Sequence, residues 1–431
     1  MVAAVSNHPF RPLRHRSVRL LLGASVVSDT GTWVQLIVVG SLIAADTGSA
    51  VQTGLVALAT FMPQGIAAPV GGLLADRFDR RKVFASALLL QAAVTTVLAI
   101  VLGSGVRTPA ILTLLILLGS AAGSLGAPSA AAMQPDLVPP EELLAMISLS
   151  VYSWNAGRIV GPLLGSVLVI TIGSAWTIGF NAFSFVVMAT AVSLLRRSFR
   201  PHGADDAEST VRQRLLTGLR LVRANRGCFH GVVLLVLFNL TLVPFMGLIP
   251  IYVKAEYDGG TSMAGAVASA QGIGAIVGGF LMTWLAARHS RSSLLKGVQF
   301  TMAGTLLAYA LAPSVIELIV CAAILGGCVA AMFITSVSII QRDAPPNGRG
   351  RVMSVMQAAM GISYGLGLLF IGLLGDLINL HVAFIVGAAL TAGAFALLTT
   401  RSRNWRTAID GFEPTPVDPE AMQAITVVAG D

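Results

Sequence analysis

Twelve stretches of this chain run apolar for about 20 residues or more, the length that carries a helix across roughly 30 Å of hydrocarbon. They fall at 19–45, 53–75, 83–103, 109–132, 145–170, 175–195, 229–253, 263–287, 294–312, 315–339, 352–376 and 381–400. In lipid an unpaired backbone N–H or C=O costs several kcal/mol, so a crossing segment must close its own hydrogen bonds as a helix or join a sealed barrel. These runs are too long and too uniformly apolar for barrel strands. A composition 55% hydrophobic and only 11% charged, with mean hydropathy +0.80, likewise excludes an ordinary soluble domain. The expectation is an all-α integral membrane protein with twelve transmembrane helices. The first run is too long for a signal-peptide core and is kept as a mature helix.

The net charge of +8 invites a nucleic-acid reading, which the placement of the bases removes. Of 28 Lys and Arg residues, Arg107 and Lys254 fall on one side of the expected membrane and Arg158 inside a helix, which leaves 25 on the other side. Such one-sided excess marks the cytoplasmic face, and an even number of spans sets both termini there. The partners expected are therefore the bilayer and a small molecule, with no nucleic acid. Three cysteines, two of them seven apart at Cys321 and Cys328, show neither metal spacing nor a disulfide framework and read as packing residues.

The longest polar segment inside the chain separates six spans from six. The domain division is then a cytoplasmic arm (1–18), a first six-helix bundle (19–195), a cytoplasmic linker (196–228), a second six-helix bundle (229–400) and a cytoplasmic tail (401–431). Adding about 207 to a number in the first half lands on a similar residue in the second: Gly71 and Gly72 on Gly278 and Gly279, Gln134 and Asp136 on Gln341 and Asp343, Met146 on Met353. Two pseudo-symmetric six-helix bundles with a substrate site between them, near mid-membrane, are a common plan of secondary transporters.

Directly after the second span, "GGLLADRFDRRKV" sets six charged side chains in the seven positions from Asp76 to Lys82. A bare stop signal would need the bases but not the two aspartates. The segment resembles the cytoplasmic signature of the major facilitator superfamily, a glycine followed four residues on by Asp-Arg and then by a basic pair. The resemblance implies that Gly72 permits close helix approach, that Asp76 faces the N-terminus of the eleventh helix, and that Arg80 pairs with Asp136 at the end of the fourth. Arg77 and Arg81 complete this gate, which would hold the halves together in the outward-facing state. Asp79 departs from the glycine common at its position.

In the fifth span, "NAGRIVGPLLG" carries Gly157, Gly161, Pro162 and Gly165, an element similar to the antiporter signature of the same superfamily. Its glycines admit a neighbouring helix and its proline frees one backbone bond. With "QPDLVPPEELLAMISLSVYSWNAGRIVGP", the likeness extends over nearly the whole chain to the branch of bacterial siderophore (enterobactin) exporters and macrolide or multidrug efflux proteins. The fourth span lacks the intramembrane arginine that many proton-coupled members carry.

Ionisable groups deep in a span are costly and are functional candidates by default. Asp29 and Arg158 lie roughly 15 and 20 Å from the cytoplasmic ends of their helices, both near the midplane. The expectation is that they pair, with Asp29 carrying the coupling proton and Arg158 acting as its switchable partner or as a substrate anchor; the alternative is a permanent ion pair. Trp33, Gln35, Tyr152, Asn155, Asn239, Gln271, Gln357 and Tyr364 are candidates for a mostly apolar cavity with scattered hydrogen-bonding groups. Met246, Met332, Met356 and Met360 would give it adaptable walls.

Competing classes are constrained by what the chain carries. Its lysines, Lys82, Lys254 and Lys296, follow Arg81, Val253 and Leu295, so no Gly-Lys phosphate loop exists here for ATP. "GISYG" at 361–365 matches a nucleophile elbow only formally, within an apolar run and with no strand before it. No enzyme, metal or cofactor is expected. The function read is a monomeric, proton-coupled antiporter exporting amphipathic small molecules. An importer or uniporter of the same fold is the alternative, and a receptor or channel the rival class.

Overall fold

The computed structural model describes residues 10–195, 211–286, 288–345, 348–401 and 405–410. The first nine residues, linker positions 196–210 and the tail from 411 onward lie outside the described residues. Within them the chain forms fourteen α-helices and no strand. One side is built from α1 (Arg16–Thr47), α2 (Ala50–Arg77), α3 (Arg80–Gly103), α4 (Pro109–Leu137) and α5 (Leu143–Ser193). After the short α6 (Val211–Ala224) come α7 (Arg226–Thr241), α8 (Phe245–Tyr257), α9 (Thr261–Ala286), α10 (Arg291–Ala310), α11 (Val315–Asp343), α12 (Arg349–Leu377), α13 (Leu380–Arg401) and α14 (Trp405–Asp410).

Ten stretches are long and apolar enough to cross a membrane, and one of them runs 54 residues, from Pro140 to Ser193. That stretch is two spans. Gly173 interrupts α5 with φ 81° and ψ 165°, a conformation open to glycine and closed to side chains. Along α1, Gly157 and Gly161 meet Asp29 and Trp33 in parallel order. On the far side of Gly173 the order reverses, Asn181 bonding Gln35 and Met188 meeting Ser25. The chain therefore turns back at Gly173. The seventh span is α7 and α8 in series, broken at residues 242–244, where Pro244 cannot continue the ladder. With α10, which is 20 residues long, the described residues are consistent with twelve crossings.

Helix ends follow local chemistry. The side chains of Ser49, Asp79, Asn225, Ser290 and Ser314 accept a backbone N–H at the start of α2, α3, α7, α10 and α11. Asp79, in place of the family's glycine, is thus the N-cap of α3, accepting from Arg81 N at 2.9 Å. The basic residues Arg77, Arg80 to Lys82, Arg291, Arg342 and Arg349 share one end of the molecule, called here the basic face.

Small residues set the helix crossings, as they must where lipid supplies no hydrophobic drive between helices. A Cβ on Gly71 would lie 2.3 Å from the Leu125 carbonyl oxygen, where α2 crosses α4. The repeat partner, Gly278, meets Gly327 Cα at the same 2.3 Å where α9 crosses α11. Equivalent glycines thus serve equivalent crossings in the two halves. Gly278→Ala should force backbone apart, lowering the thermal midpoint and folded yield at a cost of about 1–3 kcal/mol. Gly304→Ala, with nothing within 4 Å, should leave both unchanged in the same thermal-shift assay.

Candidate functional site

The two halves meet along α2 and α12, which run antiparallel with few side chains between them. Ala50 faces Gly372, Gly54 faces Leu368, Leu58 faces Gly365, and Gly65 faces Ala358, one turn up α2 matching one turn back along α12. At the end of this seam away from the basic face, Asp376 closes on the N-terminus of α2. One carboxylate oxygen accepts from Ala50 N–H at 2.5 Å, and the other from Ser49 Oγ at 2.6 Å and Val51 N–H at 3.1 Å. A helix N-terminus presents unpaired donors and partial positive charge, so an anion there is doubly favoured.

Towards the basic face the seam parts. A Cβ on Gly72 or Gly350 would meet nothing within 4 Å, and Gly72 lines a cavity of about 850 Å³. Continued by three more turns from Gly65, the register would bring Asp76 to the start of α12. In this conformer Asp76 and Arg77 are exposed. Arg80 stands 3.8 Å from Asp136 and donates to the Ala132 carbonyl at 3.2 Å, while Arg81 donates to the Leu195 carbonyl at 2.5 Å, tying α3 to α4 and to the end of α5.

The 850 Å³ cavity is reached from the basic face, its lining extending to Leu21, Phe84, Gln134 and Met353 near helix ends. Its walls are apolar with scattered amides and hydroxyls, among them Gln64, Gln91, Gln134 and Gln357. Asp29 is the acid in that wall, and its carboxylate accepts the Ser153 hydroxyl at 2.7 Å. The expected Asp29–Arg158 pair is not formed. Gly157 brings α5 so close to α1 that its Cβ would lie 2.8 Å from the Asp29 carbonyl carbon, which turns Arg158 to the other side of α5, towards α9. There its Nε–H donates to Gln271 Oε1 at 3.1 Å, and its guanidinium lies over the Trp33 ring at 5.7 Å.

The glycines of the fifth span all serve α1. A Cβ on Gly161 would strike Trp33 Cβ at 2.6 Å, and one on Gly165 would touch Ile37 at 3.3 Å. Pro162 presents its carbonyl to Gly265 on α9, and the Ser166 hydroxyl lies 3.0 Å from the Thr261 carbonyl. Above the midplane α5 is therefore packed on both flanks, against its own bundle and the opposite one.

A second, small cavity of about 30 Å³ holds Trp33, Gln271, Tyr364 and Met246 with Arg158. Phe61 lines both cavities, its ring 6.0 Å from Trp33 and 5.7 Å from Tyr364. The remaining cavity candidates lie elsewhere. Gln35 accepts from Asn181 inside the first bundle, while Asn155 and Asn239 donate to carbonyls one turn back on their own helices. Tyr152 is 51% exposed and lines neither cavity. Met332 and Met356 are core residues, and Met360 packs against the core beside them. Ser363 of the formal elbow is buried and donates to the Met360 carbonyl, and Cys321 and Cys328 are unbridged.

Residues that the sequence reading passed over include Asp376, Ser153, Trp154 and Glu142. Asp376 had a signal: Gly72-Leu73-Leu74-Ala75-Asp76 and Gly372-Leu373-Leu374-Gly375-Asp376 share the pattern G-L-L-x-D at the ends of the two antiparallel seam helices. Glu142, only 2% exposed, is gripped by Arg11 at 3.1 Å, Arg14 at 2.6 Å and His15 at 2.9 Å, which pins the N-terminal arm under the turn between α4 and α5.

The family profile described as "Transmembrane secretion effector" matches residues 7–424. The chain is 24% identical over 344 residues to macrolide efflux protein A of Streptococcus pyogenes, covering 78% of this chain and 84% of that protein. It is 27% identical over 398 residues to the multidrug efflux pump Tap of Mycolicibacterium fortuitum, covering 89% and 96%. In fold it is similar to the nucleoside transporter NupG (D323A mutant), with TM-score 0.74, 15% identity and coverage of 90% of this chain and 100% of that one. A bacterial homologue of the iron transporter ferroportin is similar at TM-score 0.69 and 18% identity, covering 90% and 99%.

Asp376→Asn should weaken the seam's closed end by about 1–2 kcal/mol, roughly a tenfold shift in favour of opening. A membrane-impermeant maleimide applied from that end to a cysteine at Thr53, in a background without the native cysteines, should then label correspondingly faster.

Proposed function

The chain belongs to the Transmembrane secretion effector family of the major facilitator superfamily, and on that premise we propose that it is a proton-coupled antiporter. It exports amphipathic small molecules, drugs or siderophore-like metabolites, from the cytoplasm. The observation that carries this reading is a roomy cavity open at one end and clasped at the other, with one acid in its wall. The one-sided distribution of bases supports taking the basic face, and both termini, as cytoplasmic. The conformer is then inward-facing, ready to load substrate from the cell interior.

Alternating access follows from the seam. Closing the basic face along the existing register carries Asp76 to the first turn of α12, as Asp376 now sits at the first turn of α2. The two G-L-L-x-D ends then act as opposed clasps, one made as the other breaks. Neither is worth more than a few kcal/mol, as a reversible cycle requires. Arg80 and Asp136, with Arg81 on the Leu195 carbonyl, keep the first bundle rigid while it rocks.

Asp29 is the proton carrier in this scheme. A carboxylate held by one hydroxyl beside a wide cavity can be reached by water and by substrate, so a substrate seated against it and a proton on it compete for the same place. That competition is antiport in its simplest form. The macrolide and multidrug efflux relatives support the outward direction. Substrate and proton are the partners; neither ATP nor a cofactor takes part, and one chain suffices.

In proteoliposomes with an imposed pH gradient, the wild-type chain should move a macrolide or a lipophilic dye against the proton flow. Movement with the proton flow would instead support an importer. Asp29→Asn should abolish the gradient-driven component while leaving the folded protein and its facilitated exchange; gradient-driven transport at the wild-type rate would remove Asp29 from the mechanism.

A further inference from the structure

Among the described residues the central cation, Arg158, faces no anion. Arg158 lies between the bundles with its Nε–H on Gln271 Oε1 and one terminal nitrogen 3.7 Å from Met246 Sδ, a weak acceptor. Asp29 is engaged with Ser153, one turn nearer the basic face. A guanidinium offers donors only, so the amide facing it must present oxygen, which fixes the side-chain orientation of Gln271 and turns Nε2 away. That Nε2 is buried without a hydrogen-bond partner, in a residue 2% exposed; the same holds for Nε1 of Trp33, 8% exposed. All three side chains border the 30 Å³ cavity, with Tyr364 beside them.

The site thus sets a positive charge and two side chains with orphaned donors around one small space. Burying such groups unsatisfied is costly, and the chemistry that satisfies them together is an anion. We propose that this cavity is a subsite for the carboxylate of an amphipathic organic acid. The inference rests on the transport reading and deepens it by naming a substrate class. At about 30 Å³ this space admits a small charged head and not the apolar body behind it. The apolar body lies in the 850 Å³ cavity, on the other side of Phe61, whose ring borders both spaces. The carboxylate takes the free edge of the Arg158 guanidinium and the N–H groups of Gln271 and Trp33. Arg158 and Trp33 belong to the first bundle and Gln271 and Met246 to the second, so the bound acid touches both halves of the rocking unit.

The test uses the full chain purified into lipid nanodiscs, with three probes of one aromatic body: 1-pyrenebutyrate, 1-pyrenebutanol and 1-pyrenebutylamine, followed by fluorescence anisotropy at neutral pH without a gradient. Wild type should bind the carboxylate at least about tenfold more tightly than the alcohol, the worth of one charged hydrogen-bonded contact. Arg158→Gln should bring the two within about twofold, with Arg158→Lys in between because it keeps the charge and loses the fork. Gln271→Leu should reduce the preference while leaving Arg158 in place. Unchanged amine binding in each variant reports an intact fold. Equal affinity for acid and alcohol in wild type would overturn the proposal, as would a preference that survives both Arg158→Gln and Gln271→Leu. Because no gradient is applied, failure here leaves the antiport reading to its own vesicle assay, and failure there leaves this binding result standing.

Discussion

The architecture depends on the approach of two antiparallel helices with almost nothing between them. Along the seam of α2 and α12, glycine or alanine stands at Ala50, Gly54, Gly65, Ala358, Gly361, Gly365 and Gly372. Close backbone approach supplies dispersion contact along the seam from Ala50 to Gly65. What defines this conformer is where along that seam the helices part. In this structure they part below Gly65, and the cavity, the exposed Asp76 and the closed Asp376 end follow from that one choice.

Around the seam the bundles are held by contacts of a different kind. Asn181 with Gln35, Thr241 with Thr391, and Tyr252 with the carbonyls of Tyr309 and Ala310 are all within one half. The first two of these lie deep in the membrane, where no water is present to replace them, and the Tyr252 bonds fasten the ends of α8 and α10 at the opposite end from the basic face. Between halves, α5 and α9 are tied by the Arg158–Gln271 bond, at the position where a ligand would intervene, and beside it by the Ser269 hydroxyl donating to the Ile159 carbonyl at 2.7 Å.

Much of the fold was legible because hydropathy is a property of the chain in one dimension. The first span, read as 19–45, is α1 at Arg16–Thr47, and the eleventh, read as 352–376, is α12 at Arg349–Leu377. The reversal falls in the short break between the fifth run, ending at 170, and the sixth, starting at 175, and Gly173 lies within it. The break at residues 242–244 was not, since Leu242 and Val243 keep the run apolar while Pro244 ends the ladder. Site residues were harder for a geometric reason. Sequence gives depth, but a helix has an azimuth as well. Gln35 and Gln271 sit at similar depth, yet one faces its own bundle and the other the central space. Arg158 and Asp29 share a level and adjoining helices, and a one-residue step from Gly157 turns the arginine away. Asp376 carried a legible signal only when set beside Asp76, because an aspartate at a helix end alone is unremarkable.

The outer clasp lies at the rim, where α2 begins and bulk water begins with it. When Asp376 withdraws, Ala50 and Val51 exchange one oxygen for another and no donor is stranded in hydrocarbon, so the enthalpy of opening is small. Inward of that rim the two seam helices meet through dry apolar surface, a contribution that grows with contact area. A seam of this kind would answer to the thickness and lateral pressure of the bilayer around it.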